Sequence, residues 1–199
     1  MSAVEIIALA ASVSLLAGWR LYLCVLAVGI AMRTGWLDLP EHLQSLDVLA
    51  NGWVIGIAAI GATAEFFADK VAWVDSAWDT VHTLVRPVGG ALLALALVDT
   101  GSPVWQVVTL LLGGGATLLT HGAKASTRAA VNLSPEPVSN VVVSTGEDVA
   151  TAGALAAALA SPIAAALVAL TALVGAVLVL VLVKRVLRPR KRLSGPPAA

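Results

Sequence analysis

The sequence predicts an all-α integral membrane protein, a polytopic bundle of about six transmembrane helices. Hydrophobic residues make up 59% of the 199-residue chain and charged residues only 12%, whereas soluble domains carry about 25% charged residues. Long apolar runs also recur along the chain, several of them near the roughly 20 residues that a helix needs to cross the hydrocarbon core of a membrane. A chain with so few charges cannot cover a water-exposed surface, so we expect a membrane domain.

Six apolar segments are expected to form the helices, in order along the chain. Their approximate bounds are 4–32, 50–68, 87–99, 104–120, 139–160 and 163–183. The first is predicted to be a single helix, although Arg20 falls near its middle. The third begins at Pro87 and is short, so it spans the membrane only if the amphipathic stretch before it partly enters the bilayer.

Prolines and polar residues mark the expected breaks between these helices. Pro135 and Pro137 bracket Glu136 and must interrupt a helix. Broken helices expose backbone groups that can coordinate a solute, so Glu136 and Asn140 are candidate site residues. The alternative is an ordinary cytoplasmic loop. Before the second segment, the stretch 39–49 is predicted to form a short amphipathic helix at the membrane surface.

The distribution of charge predicts the orientation in the membrane. Six of the 12 basic residues lie after residue 183, and cytoplasmic segments of membrane proteins are rich in Lys and Arg. We therefore divide the chain into a transmembrane domain, 1–183, and a basic cytoplasmic tail, 184–199. Six crossings place both termini in the cytoplasm. The order of features in the first three segments resembles that in the last three, which predicts a 3+3 inverted repeat with interrupted helices.

Charged residues recur at helical or adjacent spacing beside and within the apolar segments. They fall into four groups: Glu65 and Asp69; Asp75, Asp79, His82 and Arg86; His121, Lys124 and Arg128; and Glu147 and Asp148. Spacings of three, four and seven residues place the members of each of the first three groups on one helix face. Glu147 and Asp148 are adjacent, so we expect them to point in different directions.

Charges inside a bilayer are costly and commonly mark a functional site. Three interpretations of these groups stay open. The acidic and basic groups pair between helices and fix the packing; or carboxylates and histidines bind a divalent cation such as Mg²⁺, Mn²⁺ or Zn²⁺; or they relay protons while basic residues hold an anionic solute. No spacing is diagnostic of a metal site, so a divalent cation is an open candidate and no cofactor is assigned.

Arg20 is expected to form a buried ion pair. It lies about 16 residues into the first segment, where a side chain reaches the membrane surface poorly. A carboxylate partner is therefore predicted, with Glu65, Glu147 and Asp148 as the candidates.

Several strings of the sequence resemble a family of uncharacterised bacterial multi-pass membrane proteins, a domain of unknown function. They are GWRLYL, GWLDLP, AEFFADKVAWVDSAWDTVHTLVRPVGGALLA and HGAKASTRAAVNLSPEPVSNVVVSTGED. The resemblance covers most of residues 5–160 and implies a bacterial inner-membrane location. It implies no activity, substrate or catalytic residue.

We predict a small transporter or channel for an ion or a small anionic solute. Arg20, Glu136, Asn140 and the four charged groups would line its polar path. The alternative is a non-transporting membrane protein that binds a lipid headgroup or a protein partner through the same charges. The sequence has no nucleophile elbow, phosphate-binding Gly-rich loop or HExxH zinc helix, so no enzymatic activity is expected. A homodimer in the lipid bilayer is expected, and nothing predicts binding to nucleic acid.

Overall fold

The computed structural model describes residues 2–37, 48–98, 101–133 and 137–187. Within these ranges the chain forms seven α-helices and no strand, which confirms the predicted all-α fold. The helices are α1 (Ala3–Ala17), α2 (Leu21–Arg33), α3 (Gly52–Ala68), α4 (Ala72–Leu97), α5 (Pro103–Asn132), α6 (Pro137–Ala160) and α7 (Pro162–Leu187). Most of the predicted surface helix at 39–49, Glu136 and the tail beyond Leu187 lie outside the described residues.

Three of the helices in the described part of the chain, α4, α5 and α7, are long and apolar enough to cross a membrane. The helices α1, α2 and α3 are apolar but shorter. By length and composition, the chain is therefore a membrane protein. The predicted inverted repeat and the division at residue 183 stay predictions, although α7 continues past that point to Leu187.

The helices α4 and α5 are each longer than predicted. Pro87 lies inside α4 rather than at the start of a helix, and α5 continues beyond 120 through its polar half to Asn132. The amphipathic half of α4 and the polar half of α5 pack together in the most extensive helix pair of the described fold. This packing buries their polar faces, which is why each apolar segment and its polar neighbour form one helix.

The prediction of one continuous helix over 4–32 is wrong. α1 ends at Ala17 and α2 begins at Leu21, with Arg20 at the break in a non-helical conformation (φ −142°, ψ 79°). The break lies against α5, where a Cβ atom on Gly18 would collide with Thr120 Oγ1 and with the backbone at Thr117 and His121. Glycine is thus required for the close approach of the two backbones.

Contacts along α1 fix its direction. The Ser14 hydroxyl donates to the Gly90 carbonyl and the Thr117 hydroxyl to the Ser14 carbonyl, while Arg86 and Lys124 reach the break itself. As residue numbers rise along α1, they fall along α4 and rise along α5. α1 therefore runs from the apolar end of the α4–α5 pair towards its charged end, and stops about halfway.

The helices α2 and α3 each run opposite to the helix before them. Tyr22 of α2 packs against Gly61 of α3, and Gly29 packs against Ile55, so the two helices are antiparallel. α3 ends at the charged side, where Glu65 meets Arg86. α2 therefore runs back towards the apolar end, and α1 and α2 form a hairpin whose tip, residues 18–20, lies inside the bundle. Irregular backbone at such depth is tolerated where protein buries it.

The close contact at Gly18 gives a first prediction. Gly18→Ala should lower the stability of the detergent-solubilised protein by about 1–3 kcal/mol, because the added methyl group overpacks the hairpin against α5. The measurement is the thermal unfolding midpoint. Gly122→Ala in α5 is the matched control, since a Cβ atom there meets nothing within 4 Å; equal midpoints for the two variants would contradict the proposed contact.

Candidate functional site

The predicted charged stripes of α4 and α5 face each other inside the bundle. Asp75, Asp79, His82 and Arg86 are all buried on α4. His121, Lys124 and Arg128 are buried on the facing side of α5. The tip of the α1–α2 hairpin, the end of α3 and one face of α6 complete the enclosure. The expectation that these residues lie on common faces is confirmed.

Arg86 is the centre of the part of this site next to the hairpin tip, and its side chain is fully buried. Its Nη2 donates to Glu65 Oε1 at 2.7 Å, and its Nη1 donates to Asp79 Oδ1 at 3.0 Å. Nη1 also lies 2.6 Å from His121 Nδ1 and 3.3 Å from the Gly18 carbonyl oxygen. One guanidinium thus joins three helices to the hairpin tip, an arrangement that suits its planar fork of donors.

Asp69, at the turn between α3 and α4, is the second hub. Its Oδ2 accepts from Arg20 Nη1 and, at 2.6 Å, from Lys124 Nζ. Lys124 also donates to the Trp19 carbonyl at 3.3 Å and lies 3.8 Å from Asp79. The Gly18 and Trp19 carbonyls at the break therefore both accept hydrogen bonds from buried cations.

Arg128 is the centre of the part of the site next to the α3–α4 turn. Its Nε lies 3.2 Å from Asp75 Oδ2, and Asn132 Nδ2 donates to the same oxygen at 2.7 Å. Arg128 also donates to the carbonyls of Asp69 and Asn140. The backbone of the α3–α4 turn is therefore held directly by α5, and the Asn140 side chain adds a bond to the Asp69 carbonyl at 3.3 Å.

Arg20 connects the hairpin tip to α6. Its Nη2 lies 2.8 Å from Asp148 Oδ1, 3.7 Å from Glu147 Oε2 and 3.3 Å from the Ser144 carbonyl. Asp148 also pairs with Lys70 at 3.0 Å. The expected ion pair of Arg20 is present with Asp148, and Asp69 is a partner that the sequence did not indicate. The prediction that Glu147 and Asp148 diverge is wrong, since both reach Arg20.

The hydrogen bonds of His121 assign it as neutral, and those of His82 are compatible with a neutral ring. Because the Arg86 guanidinium can only donate, His121 Nδ1 accepts, and Nε2 carries the proton that faces Thr83 Oγ1 at 3.0 Å. His82 Nδ1 donates to the Trp78 carbonyl at 2.8 Å, and Nε2 lies 3.2 Å from the Tyr22 hydroxyl. The neutral ring, with Nε2 accepting from Tyr22, satisfies both contacts.

We call the charged residues joined by these ion pairs the charged network. Its described members are the cations Arg20, Lys70, Arg86, Lys124 and Arg128 and the carboxylates Glu65, Asp69, Asp75, Asp79, Glu147 and Asp148. Six carboxylates therefore meet five cations. Each cation lies within 3.3 Å of a carboxylate oxygen, and the side chains are at most 20% exposed.

Sequence reasoning missed Lys70, Asn132 and Ser144. Lys70 lies in the turn after α3, and its position one residue after Asp69 was the available signal. Asn132 lies four residues after Arg128, on the same face of α5, and so extends that stripe. Ser144 contributes mainly a carbonyl, for which no sequence signal exists.

Metal ligation finds no positive support in the geometry. Among the described residues, no group of three or more His, Cys, Asp or Glu side chains is placed to hold a metal ion. The carboxylates are dispersed among cations instead. No cofactor follows from this arrangement.

The chain belongs to a family described as a domain of unknown function (DUF4126), which matches residues 7–182. This match confirms membership of an uncharacterised family. No curated protein matches the chain, and no solved structure matches it.

Proposed function

We propose that this member of the DUF4126 family is a small membrane transporter or channel for an ion, with the proton or a small monovalent cation as its cargo. The observation that carries the proposal is the excess of one carboxylate among the described members of the charged network, which is buried at the tip of a broken helical hairpin. A buried negative charge without a cation is costly, so the site favours an additional positive charge.

The same network argues against an anionic solute. Arg86 and Lys124 are each engaged by carboxylates and by carbonyls of the hairpin tip. An anion would have to displace a carboxylate from a buried cation. The excess of carboxylates makes that exchange still less favourable, so we favour a cation among the ions considered from the sequence.

A broken hairpin supports movement of the cargo. Residues 18–20 place two carbonyls that accept no helical hydrogen bond, those of Gly18 and Trp19, at the centre of the bundle, as do the interrupted helices of many transporters. The tip is held by Arg86 and Lys124 rather than by regular helical hydrogen bonds. Changes of charge in the network would therefore act directly on the position of the hairpin.

The second candidate is a non-transporting membrane protein in which the pairs only fix the packing. The observation that favours it is the close pairing of every described cation of the network. Arg86 and Arg128 are buried, so neither is positioned to bind a lipid headgroup from the side. A protein partner would have to use the more exposed pair of Lys70 and Asp148.

The location and topology are part of the proposal. We propose the inner membrane of a bacterium, with the basic end of α7 in the cytoplasm, and a homodimer as the working assembly. Because α1 and α2 enter and leave the bundle on the same side, the hairpin favours five crossings, by α3 to α7, over the six predicted from the sequence. It supports a start of α1 on the side opposite to Lys184 and Arg185, instead of both termini in the cytoplasm.

The experiment is an ion-flux screen on the purified protein in liposomes. Separate gradients of protons, Na⁺, K⁺, chloride and phosphate are imposed, and their decay is compared with that in protein-free liposomes. We expect faster decay of a proton or monovalent cation gradient and no effect on phosphate. Absence of any flux would favour the packing role instead.

A further inference from the structure

We infer that Glu147 is the proton-binding site of the charged network and that it carries a proton in the conformation described here. This inference rests on the proposed function and names the group that carries the cargo. It starts from the charge count of the network, in which one described carboxylate has no cation of its own.

Glu147 is the carboxylate of the network that has no close cation of its own. Asp79 and Glu65 lie within 3.0 Å of Arg86, and Asp75 lies 3.2 Å from Arg128. The other two well-paired acids of the network are equally close to a cation: Asp69 lies 2.6 Å from Lys124, and Asp148 lies 2.8 Å from Arg20. Within the described part of the chain, the nearest cation to Glu147 is 3.7 Å away.

The cation near Glu147 is already occupied. The same Nη2 atom of Arg20 pairs with Asp148 and donates to the Ser144 carbonyl, and Nη1 binds Asp69. Lys124 and Arg128 are the other cations that act on Glu147, and both have carboxylate partners. Two carboxylates that compete for one nitrogen cannot both ionise cheaply, so one of them keeps a proton.

A hydrogen-bond partner for this proton is available on the same helix. Glu147 Oε2 is buried and has no hydrogen-bond partner within the described residues, and the same holds for Thr151 Oγ1. Thr151 is fully buried and lies four residues further along α6, on the same face. A protonated Glu147 gains a donor, and the Thr151 hydroxyl can accept it. One proton thus removes the charge imbalance, and a turn of the two side chains towards each other would pair the two unsatisfied groups.

The histidines do not supply the missing positive charge. His121 accepts from Arg86 and is therefore neutral. His82 faces the Trp78 carbonyl and the Tyr22 hydroxyl, so a positive charge on it would have no carboxylate partner among the contacts described. Glu147 is better placed because it is adjacent to Asp148 in the sequence and lies 3.7 Å from Arg20, which also binds Asp69.

Infrared spectroscopy of the folded protein tests the inference. At neutral pH the wild type should show the carbonyl-stretching band of a protonated carboxylic acid, and Glu147→Gln should lose it entirely with an unchanged unfolding midpoint. Glu5→Gln is the control: Glu5 lies near the N-terminus of α1, accepts a hydrogen bond from the Ser2 backbone N–H, and is outside the network. That variant should retain the band.

A second variant tests the charge balance. Asp148→Asn removes one carboxylate, leaves Arg20 free for Glu147, and should therefore abolish the band although Glu147 is present. A band that persists in Glu147→Gln, or a wild type without one, would overturn the inference. Its failure is separate from that of the proposed function: flux of Na⁺ or K⁺ without the band would keep the transporter and exclude Glu147 as its proton site.

Discussion

Arg86→Met is expected to be among the most damaging single substitutions in this protein, with a loss of about 3–5 kcal/mol in the free energy of unfolding. The side chain is fully buried and holds Glu65, Asp79, His121 and the Gly18 carbonyl. Methionine fills similar space but leaves Glu65 without an ion-pair partner among the described residues and Asp79 with only Lys124, 3.8 Å away. The network would then hold six carboxylates against four cations.

Two further variants make this prediction specific. Arg86→Lys keeps the charge but lacks the fork that reaches several partners at once, so its stability should be intermediate. Arg33→Met is the control, because Arg33 is exposed and, among the described residues, makes one hydrogen bond, to the Ala50 carbonyl; it should change stability by less than about 0.5 kcal/mol. Denaturant unfolding in detergent measures all three. Equal stability of Arg86→Met and Arg33→Met would contradict the role of Arg86.

The pair of Asp69 and Lys124 should show strong energetic coupling. Lys124→Met alone leaves Asp69 with only Arg20 and raises the excess of carboxylates. Asp69→Asn alone frees Lys124, whose next carboxylate oxygen is 3.8 Å away. The double variant removes both charges and leaves the balance of the network unchanged. It should therefore be more stable than the sum of the single losses predicts, by about 1–3 kcal/mol.

A double-mutant cycle based on denaturant unfolding measures this coupling. The control cycle combines Lys124→Met with Arg33→Met, which share no partner and should be additive within about 0.5 kcal/mol. Additive losses for Asp69 and Lys124 would indicate that their 2.6 Å contact does not contribute to the folded state.

Much of the charged network could be predicted from helical spacing. The stripe from Asp75 to Arg86 and the stripe from His121 to Arg128 follow from positions in the sequence alone, since three- and four-residue steps return to one face of a helix. That the two stripes face each other needed only the expectation that charges turn away from lipid. The partner of each charge could not be predicted, because pairing depends on the relative rotation and depth of separate helices.

The break at Gly18 was the main feature that the sequence did not reveal. An apolar run with one Arg is compatible with a continuous helix, and the residues around the break carry no proline. The break is caused by tertiary contacts. α5 approaches Gly18 closely, and Arg86 and Lys124 donate hydrogen bonds to the Gly18 and Trp19 carbonyls at the break. Tertiary contacts also explain why α4 does not begin at Pro87 as predicted, since the neighbouring helix α5 stabilises α4 on both sides of Pro87.

The most direct test of the account is the rate at which an imposed pH gradient decays in liposomes, read with an enclosed pH-sensitive dye. The account predicts that wild type and Glu5→Gln dissipate the gradient faster than protein-free liposomes do. Glu147→Gln, although folded and equally stable, should be no faster than the empty vesicles. Wild-type protein that leaves the gradient intact, or a Glu147→Gln variant as fast as wild type, would contradict proton movement through the charged network.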